Sequence, residues 1–172
     1  MRVKMISNFG TAIHTLLIIH EFSKTQKVTS EVIGGVLGAN PVVVRQLLPK
    51  LKKAGFISVA PRKEKAGTTM AKPVDQITLF DVFKAVEPNY MQKLIKNVTW
   101  HSHISQTGIF ANEIIADYIK IILNGVKEEM EKITLADALA ELIQKETEYP
   151  HDNPRELFEK IRDSEIDTAY NK

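Results

Sequence analysis

The chain has 172 residues, 44% of them hydrophobic, a formal charge of +2 and no cysteine. That size fits one or two compact units burying roughly 70% of their surface on folding, and the missing thiols exclude disulfides, thiol catalysis and thiolate-bound zinc or iron–sulfur centres. The near-neutral total hides a division, because residues 1–72 carry twelve Lys and Arg against three acids while residues 73–172 carry eleven against eighteen. A basic half beside an acidic half points to a polyanion partner for the first only. No apolar run reaches the ~18 residues of a transmembrane helix. The start Met-Arg-Val-Lys lacks a signal peptide's apolar core, so a cytoplasmic location without membrane contact is expected.

Over residues 6–22 the apolar Ile6, Phe9, Ile13, Leu16, Leu17 and Phe22 recur at helical intervals and predict a first helix. His14 and His20 lie in it at a spacing of six, which does not put two imidazoles on one metal. Thr29 or Ser30 can cap a second helix whose apolar Val32, Ile33, Val36 and Leu37 stop at Gly38. Asn40 caps a third, with Pro41 at the first helical position, where its missing N–H would have been unpaired anyway. Gly55 ends that helix after the basic turn Lys50-Leu51-Lys52-Lys53. A turn of about three residues forces the second and third helices to cross steeply, as in a helix-turn-helix that lays its second helix in a DNA major groove. Phe56 to Val59 and Thr68 to Ala71 then read as short strands joined by the basic loop Pro61-Arg62-Lys63-Glu64-Lys65-Ala66-Gly67, a wing.

In the third helix Val44, Leu47, Leu48 and Leu51 share one face, so Val42, Arg45, Gln46, Pro49 and Lys53 look outward. These types suit base edges: Arg forks onto guanine, Gln pairs with adenine, and Val touches a thymine methyl group. The candidate DNA contacts are Lys4, Thr29, Ser30, Asn40, Pro41, Val42, Arg45, Gln46 and Lys53, with Arg62, Lys63 and Lys65 of the wing loop on phosphates. A merely solvated face is the plain alternative. Pro49 removes the hydrogen bond to the Arg45 carbonyl, a cost of ~3 kcal/mol in a regular helix, so a kink is expected there.

Ile77-Thr78-Leu79-Phe80-Asp81 starts a further helix with a capping box, and Ile133-Thr134-Leu135-Ala136-Asp137 repeats the device. The surrounding residues differ, so the recurrence reads as convergent capping. From Thr107 to Glu131 only Gly125 interrupts a helical pattern of ~37 Å. Its polar stripe, Glu113, Asp117, Lys120, Asn124 and Lys127, is narrow, and the apolar remainder needs more cover than one winged domain supplies. Self-association through Ile114, Ile115, Tyr118, Ile119, Ile122, Val126 and Met130 is the expected cover. The alternative is a monomer in which the helix from Thr134 to Lys145 wraps it.

The expected fold is mainly α with a small β-wing: a winged helix-turn-helix over 1–87, a connecting loop over 88–106, dimerisation helices over 107–146 and an acidic C-terminal tail over 147–172. The tail has one helical pattern, from Asn153-Pro154-Arg155-Glu156 through Leu157, Phe158 and Ile161. His101 and His103 form a His-x-His pair without a local third ligand, so no metal site is expected, although a His-based metal sensor stays open as an alternative. A glycine-rich phosphate loop, an activated nucleophile and a paired-carboxylate cleft are all missing from the pattern, so the chain is not expected to be an enzyme. The rival to a DNA regulator is a winged-helix protein-interaction module whose DNA binding is weak or lost.

The N-terminal helix, Asn40-Pro41-Val42-Val43-Val44-Arg45, Leu51-Lys52-Lys53-Ala54-Gly55, Ala71-Lys72-Pro73 and Ile77-Thr78-Leu79-Phe80-Asp81-Val82 together make residues 1–145 resemble the Rrf-type family of bacterial winged-helix transcriptional regulators. The resemblance implies a homodimer held by the long helix from Thr107 to Glu131, with both recognition helices on palindromic promoter DNA, usually for repression. Many members of that family hold an iron–sulfur cluster through three cysteines between the wing helix and the dimerisation helix. Here that segment, roughly 88–108, contains Trp100-His101-Ser102-His103 and no cysteine. No cluster or other cofactor is therefore expected, and the implied signal is an effector ligand or a partner protein. The wing also departs, with Ala66-Gly67-Thr68-Thr69 where the family has a double glycine and an aromatic.

Overall fold

The structure is a computed structural model that describes residues 4–60, 67–99, 105–149 and 153. In chain order these form α1 Lys4–Phe22, α2 Ser30–Leu37, α3 Pro41–Lys53, β1 Ile57–Val59, β2 Thr68–Met70, a 3-10 turn at Val74–Gln76, α4 Leu79–Val86, α5 Tyr90–Thr99, α6 Gln106–Lys132 and α7 Leu135–Glu148. The chain divides into two compact units, Met1–Asp137 and Ala138–Lys172. The wing-loop residues 61–66, the pair His101 and His103, and the helical pattern after Asn153 lie outside the described residues.

Local chemistry places most boundaries of the first unit. The Thr29 hydroxyl accepts from Val32 N–H to start α2, and Asn40 Oδ1 accepts from Val42 N–H at 2.9 Å to start α3 with Pro41 in its first turn. Gly38 and Gly55 close α2 and α3 at φ +61° and +78°, a region only glycine enters without strain. Helix α3 runs unbroken past the exposed Pro49, whose position on the wet face lets water serve the carbonyl it leaves unbonded.

The core collects one side of each element. Leu16 and Ile19 of α1, Ile33 of α2, and Val44, Leu47 and Leu51 of α3 are at most 2% exposed, as are Ile77, Val82, Val86 and Leu135. Phe83 bridges α1 and α5, with edge-on ring contacts of 5.6 Å to both Phe9 and Tyr90. The wing pairs Ile57 with Met70, Ser58 with Thr69 and Val59 with Thr68. Thr68 N–H also donates to the Val28 carbonyl at 2.9 Å, which ties the wing to the entry of α2.

Within residues 88–106, expected as a connecting loop, Tyr90–Thr99 form helix α5. Its apolar side is short, with Leu94 and Ile95 half-buried between exposed lysines, and it packs against α6. In the second unit α7 continues with Gln144 Nε2 donating to Glu148 at 2.9 Å and the Thr147 hydroxyl donating to the Ile143 carbonyl at 2.8 Å. Among the described residues no single helix is long and apolar enough to cross a membrane.

Candidate nucleic-acid interface

Helices α2 and α3 meet at a bend of 119°, within the range of helix-turn-helix crossings. The tightness of that turn rests on Gly34, which the sequence reading passed over. Its carbonyl accepts from Ala39 N–H at 2.9 Å, and a Cβ at Gly34 would stand 2.9 Å from the Ala39 carbonyl oxygen and 3.0 Å from Pro41 Cγ. On the far side, Lys50 Nζ donates to the Val86 carbonyl at 2.8 Å, so a lysine of α3 serves the last turn of α4 and fixes one helix against the other.

With α3 held this way, Val42, Arg45, Gln46 and Lys53 are exposed while Val44, Leu47 and Leu51 are buried, as the helical spacing requires. Thr29 and Asn40 are caps: each commits a side-chain oxygen to its own helix, and the exposed amide nitrogen of Asn40 stays available. Pro41 is half-buried in the first turn of α3, Ser30 opens α2, and Lys4 opens α1. Arg62, Lys63 and Lys65 belong to the undescribed part of the wing.

Arg45 is not free. Its Nε–H donates to Ser30 Oγ at 3.1 Å, and its Nη2 forms an ion pair with Glu31 Oε1, both partners lying in the first turn of α2. Glu31 was not among the expected site residues. The Arg45 guanidinium, together with the backbone amide of Glu31 and the hydroxyls of Thr29 and Ser30, lowers its pKa to about 2, so it is a carboxylate at any neutral pH. A negative charge near the N-terminus of α2 is also favoured by the helix dipole.

Helix α6 has two contrasting sides. Leu123 lines a cavity of about 280 Å³ with Phe80 of α4 and Ile95 of α5, and Lys127 Nζ stands 5.5 Å above the Phe80 ring. Ile119 and Met130, expected in the self-association set, are half-buried on the same side of the helix as Leu123. Each is partly covered within one chain. Around the rest of its girth Ile114, Ile115, Tyr118, Ile122 and Val126 are exposed, joined by Phe110 and Ile121, which the sequence reading left out. Ile121 and Tyr118 are 67% and 64% exposed.

A thiolate-bound iron or cluster finds no ligand in a chain without cysteine, and among the described residues no group of three His, Asp or Glu side chains converges on a metal position. The residues present do not fit such a group.

Comparison with known proteins agrees with this architecture. The model of the Rrf2 family, described as iron-dependent transcriptional regulator, matches residues 5–141. YwnA of Bacillus subtilis (strain 168), named an HTH-type transcriptional regulator, is 30% identical over 132 residues, covering 69% of this chain and 96% of YwnA. YwgB of the same organism carries the same kind of name and is 35% identical over 85 residues, a match spanning about half of either chain, 49% here and 54% of YwgB. A crystal structure of a transcriptional regulator from Lactobacillus plantarum superposes with a TM-score of 0.66 at 25% identity, covering 84% of this chain and 95% of that one. A helix-turn-helix with a short antiparallel wing and a long following helix, matched by the family model over most of its length, has one reading: the chain belongs to the Rrf2 family and is a DNA-binding transcriptional regulator, not an enzyme.

Proposed function

We propose that the chain acts in the cytoplasm as a homodimeric repressor on a two-fold-symmetric promoter site. The observation that carries this reading is the open apolar side of α6, where Phe110, Ile114, Tyr118, Ile121 and Ile122 are each more than half exposed. A contiguous face of this kind on one helix marks an association surface. Pairing it with a second copy makes an isologous contact, in which each residue meets its counterpart from the other chain.

Such a dimer presents two α3 helices to successive major grooves, whose centres are ~34 Å apart. Arg45, Gln46 and Val42 read base edges, while Lys4, Lys53 and the wing residues Arg62, Lys63 and Lys65 contact phosphates. Thr29, Ser30, Asn40 and Pro41 hold the helix starts against the backbone. With no thiolate available for a cluster, the regulatory signal arrives through an effector ligand or a partner protein.

Selection of bound duplexes from a random-sequence pool tests this function. The reading expects a two-fold-symmetric motif whose half-sites repeat at about 10 base pairs, bound with an affinity that falls steeply as salt rises. Arg45→Ala is expected to lose ~1–3 kcal/mol of discrimination per half-site, and Lys63→Ala to weaken all duplexes alike. A pool left without any enriched motif contradicts the reading.

A further inference from the structure

Arg45 carries five N–H donors on a planar fork, and its two usable edges are not equivalent. The side edge, made by Nε and Nη2, is occupied: Nε–H donates to Ser30 Oγ at 3.1 Å and Nη2–H to Glu31 Oε1. The Ser30 hydroxyl donates in turn to Glu31 Oε2 at 3.1 Å, so the three side chains close a ring of hydrogen bonds. What remains is the end edge, one N–H from Nη1 and one from Nη2, a parallel pair that matches O6 and N7 of guanine.

We infer that Glu31, with Ser30, is a positioning residue for base reading: it clamps the side edge of Arg45 so that the end edge is presented to a guanine, fixing one G·C pair in each half-site. The inference rests on α3 being the reading helix proposed above. Without the clamp, a long arginine side chain beside a polyanion swings to the nearest phosphate, where it adds affinity but carries no sequence information. The carboxylate opposes that diversion twice. It holds the fork by a charge-assisted bond, and as a fixed negative charge it disfavours approach of the phosphate backbone at that point. Lysine at position 45 has no second edge to divide between partners.

The test uses the full chain and the duplex it selects from a random pool, competed against versions of that duplex carrying each single base replacement. For the unaltered chain, replacing the guanine opposite Arg45 is expected to weaken binding about tenfold. Glu31→Ala is expected to narrow that penalty to about threefold at this position alone, while binding random duplex more tightly than the unaltered chain does. Glu31→Gln keeps an oxygen to receive the Nη2 bond and should restore most of the preference; Arg45→Lys should abolish it. Because Glu31 and Arg45 side chains are 61% and 55% exposed, the thermal midpoint of Glu31→Ala should match that of the unaltered chain. An unchanged base profile in Glu31→Ala overturns the inference and leaves DNA reading intact. Failure of the unaltered chain to prefer any duplex overturns both.

Discussion

Thr78 and Thr134 face one another in an isolated antiparallel bridge, flanked by Leu79 N–H donating to the Ile133 carbonyl and Leu135 N–H donating to the Ile77 carbonyl, each at 2.9 Å. Both threonines start helices. Thr78 exchanges hydrogen bonds with Asp81 at 3.1 and 3.2 Å, and Thr134 does the same with Asp137 at 3.2 and 2.8 Å. The twin Ile-Thr-Leu-x-Asp segments therefore form one joint, with Ile77 and Leu135 fully buried beneath it. Removing one cap leaves an N–H of α4 without its partner, so Thr78→Ala is expected to destabilise the chain by ~1 kcal/mol. A lower urea midpoint at unchanged slope is the expected record.

The same joint gives a pH signature. Hydrogen bonds from the Thr134 hydroxyl and backbone N–H favour the charged form of Asp137 and hold its pKa below the ordinary 3.8. A depressed carboxylate contributes stability that is fully present above its unfolded-state pKa and fades as the pH falls through the lower folded value. Asp137→Asn should therefore be less stable than the unaltered chain at pH 6, and the gap should shrink on acidification below about pH 4. Denaturant titrations at a series of pH values measure it. A gap that widens toward acid contradicts the assignment.

Gly34 and Gly35 are neighbours in α2 with opposite expectations. A methyl group on Gly34 meets the Ala39 carbonyl oxygen at 2.9 Å, whereas one on Gly35 meets nothing within 4 Å. Gly34→Ala should cost ~1–3 kcal/mol and weaken duplex binding by opening the helix-turn-helix. Gly35→Ala should gain ~0.5–1 kcal/mol by removing a flexible glycine from a helix interior. Thermal melts of the two variants, run side by side, decide the point.

Helix α6 offers a comparable contrast between adjacent residues. Ile122 is 63% exposed on the open side, while Leu123 is half-buried toward α4 and α5. Ile122→Glu should prevent self-association with little change in unfolding temperature, because the side chain adds little to the fold of one chain. Leu123→Glu should lower the melting temperature by putting a charge into a packed seam. Equal effects of the two on both readouts would contradict the division of α6 into an inner and an outer side.

The features legible in the sequence are those whose partners lie within a few residues. Thr29, Asn40 and Thr78 each bond a backbone N–H two or three positions ahead, and Gly38 and Gly55 supply the backbone angles that end α2 and α3, so residue type and position are enough. Glu31 was illegible as a site residue because its partner Arg45 is fourteen positions away and meets it only through the 119° bend between α2 and α3. Helix α5 was missed for a related reason, since its short apolar side acquires meaning only against α6. On α6 itself, a helix apolar around most of its girth gives periodicity no means of choosing a face. Packing by α4 and α5 makes that choice, turning Leu123 toward Phe80 and Ile95 and leaving Phe110 and Ile121 outward.

Sedimentation equilibrium of the full chain, alone and with a selected duplex, tests the central claim most directly. Association through α6 predicts a species of twice 19.4 kDa in free solution, two chains bound per symmetric duplex, and loss of both with Ile122→Glu. A chain that sediments at 19.4 kDa at every concentration and binds duplex singly would contradict it.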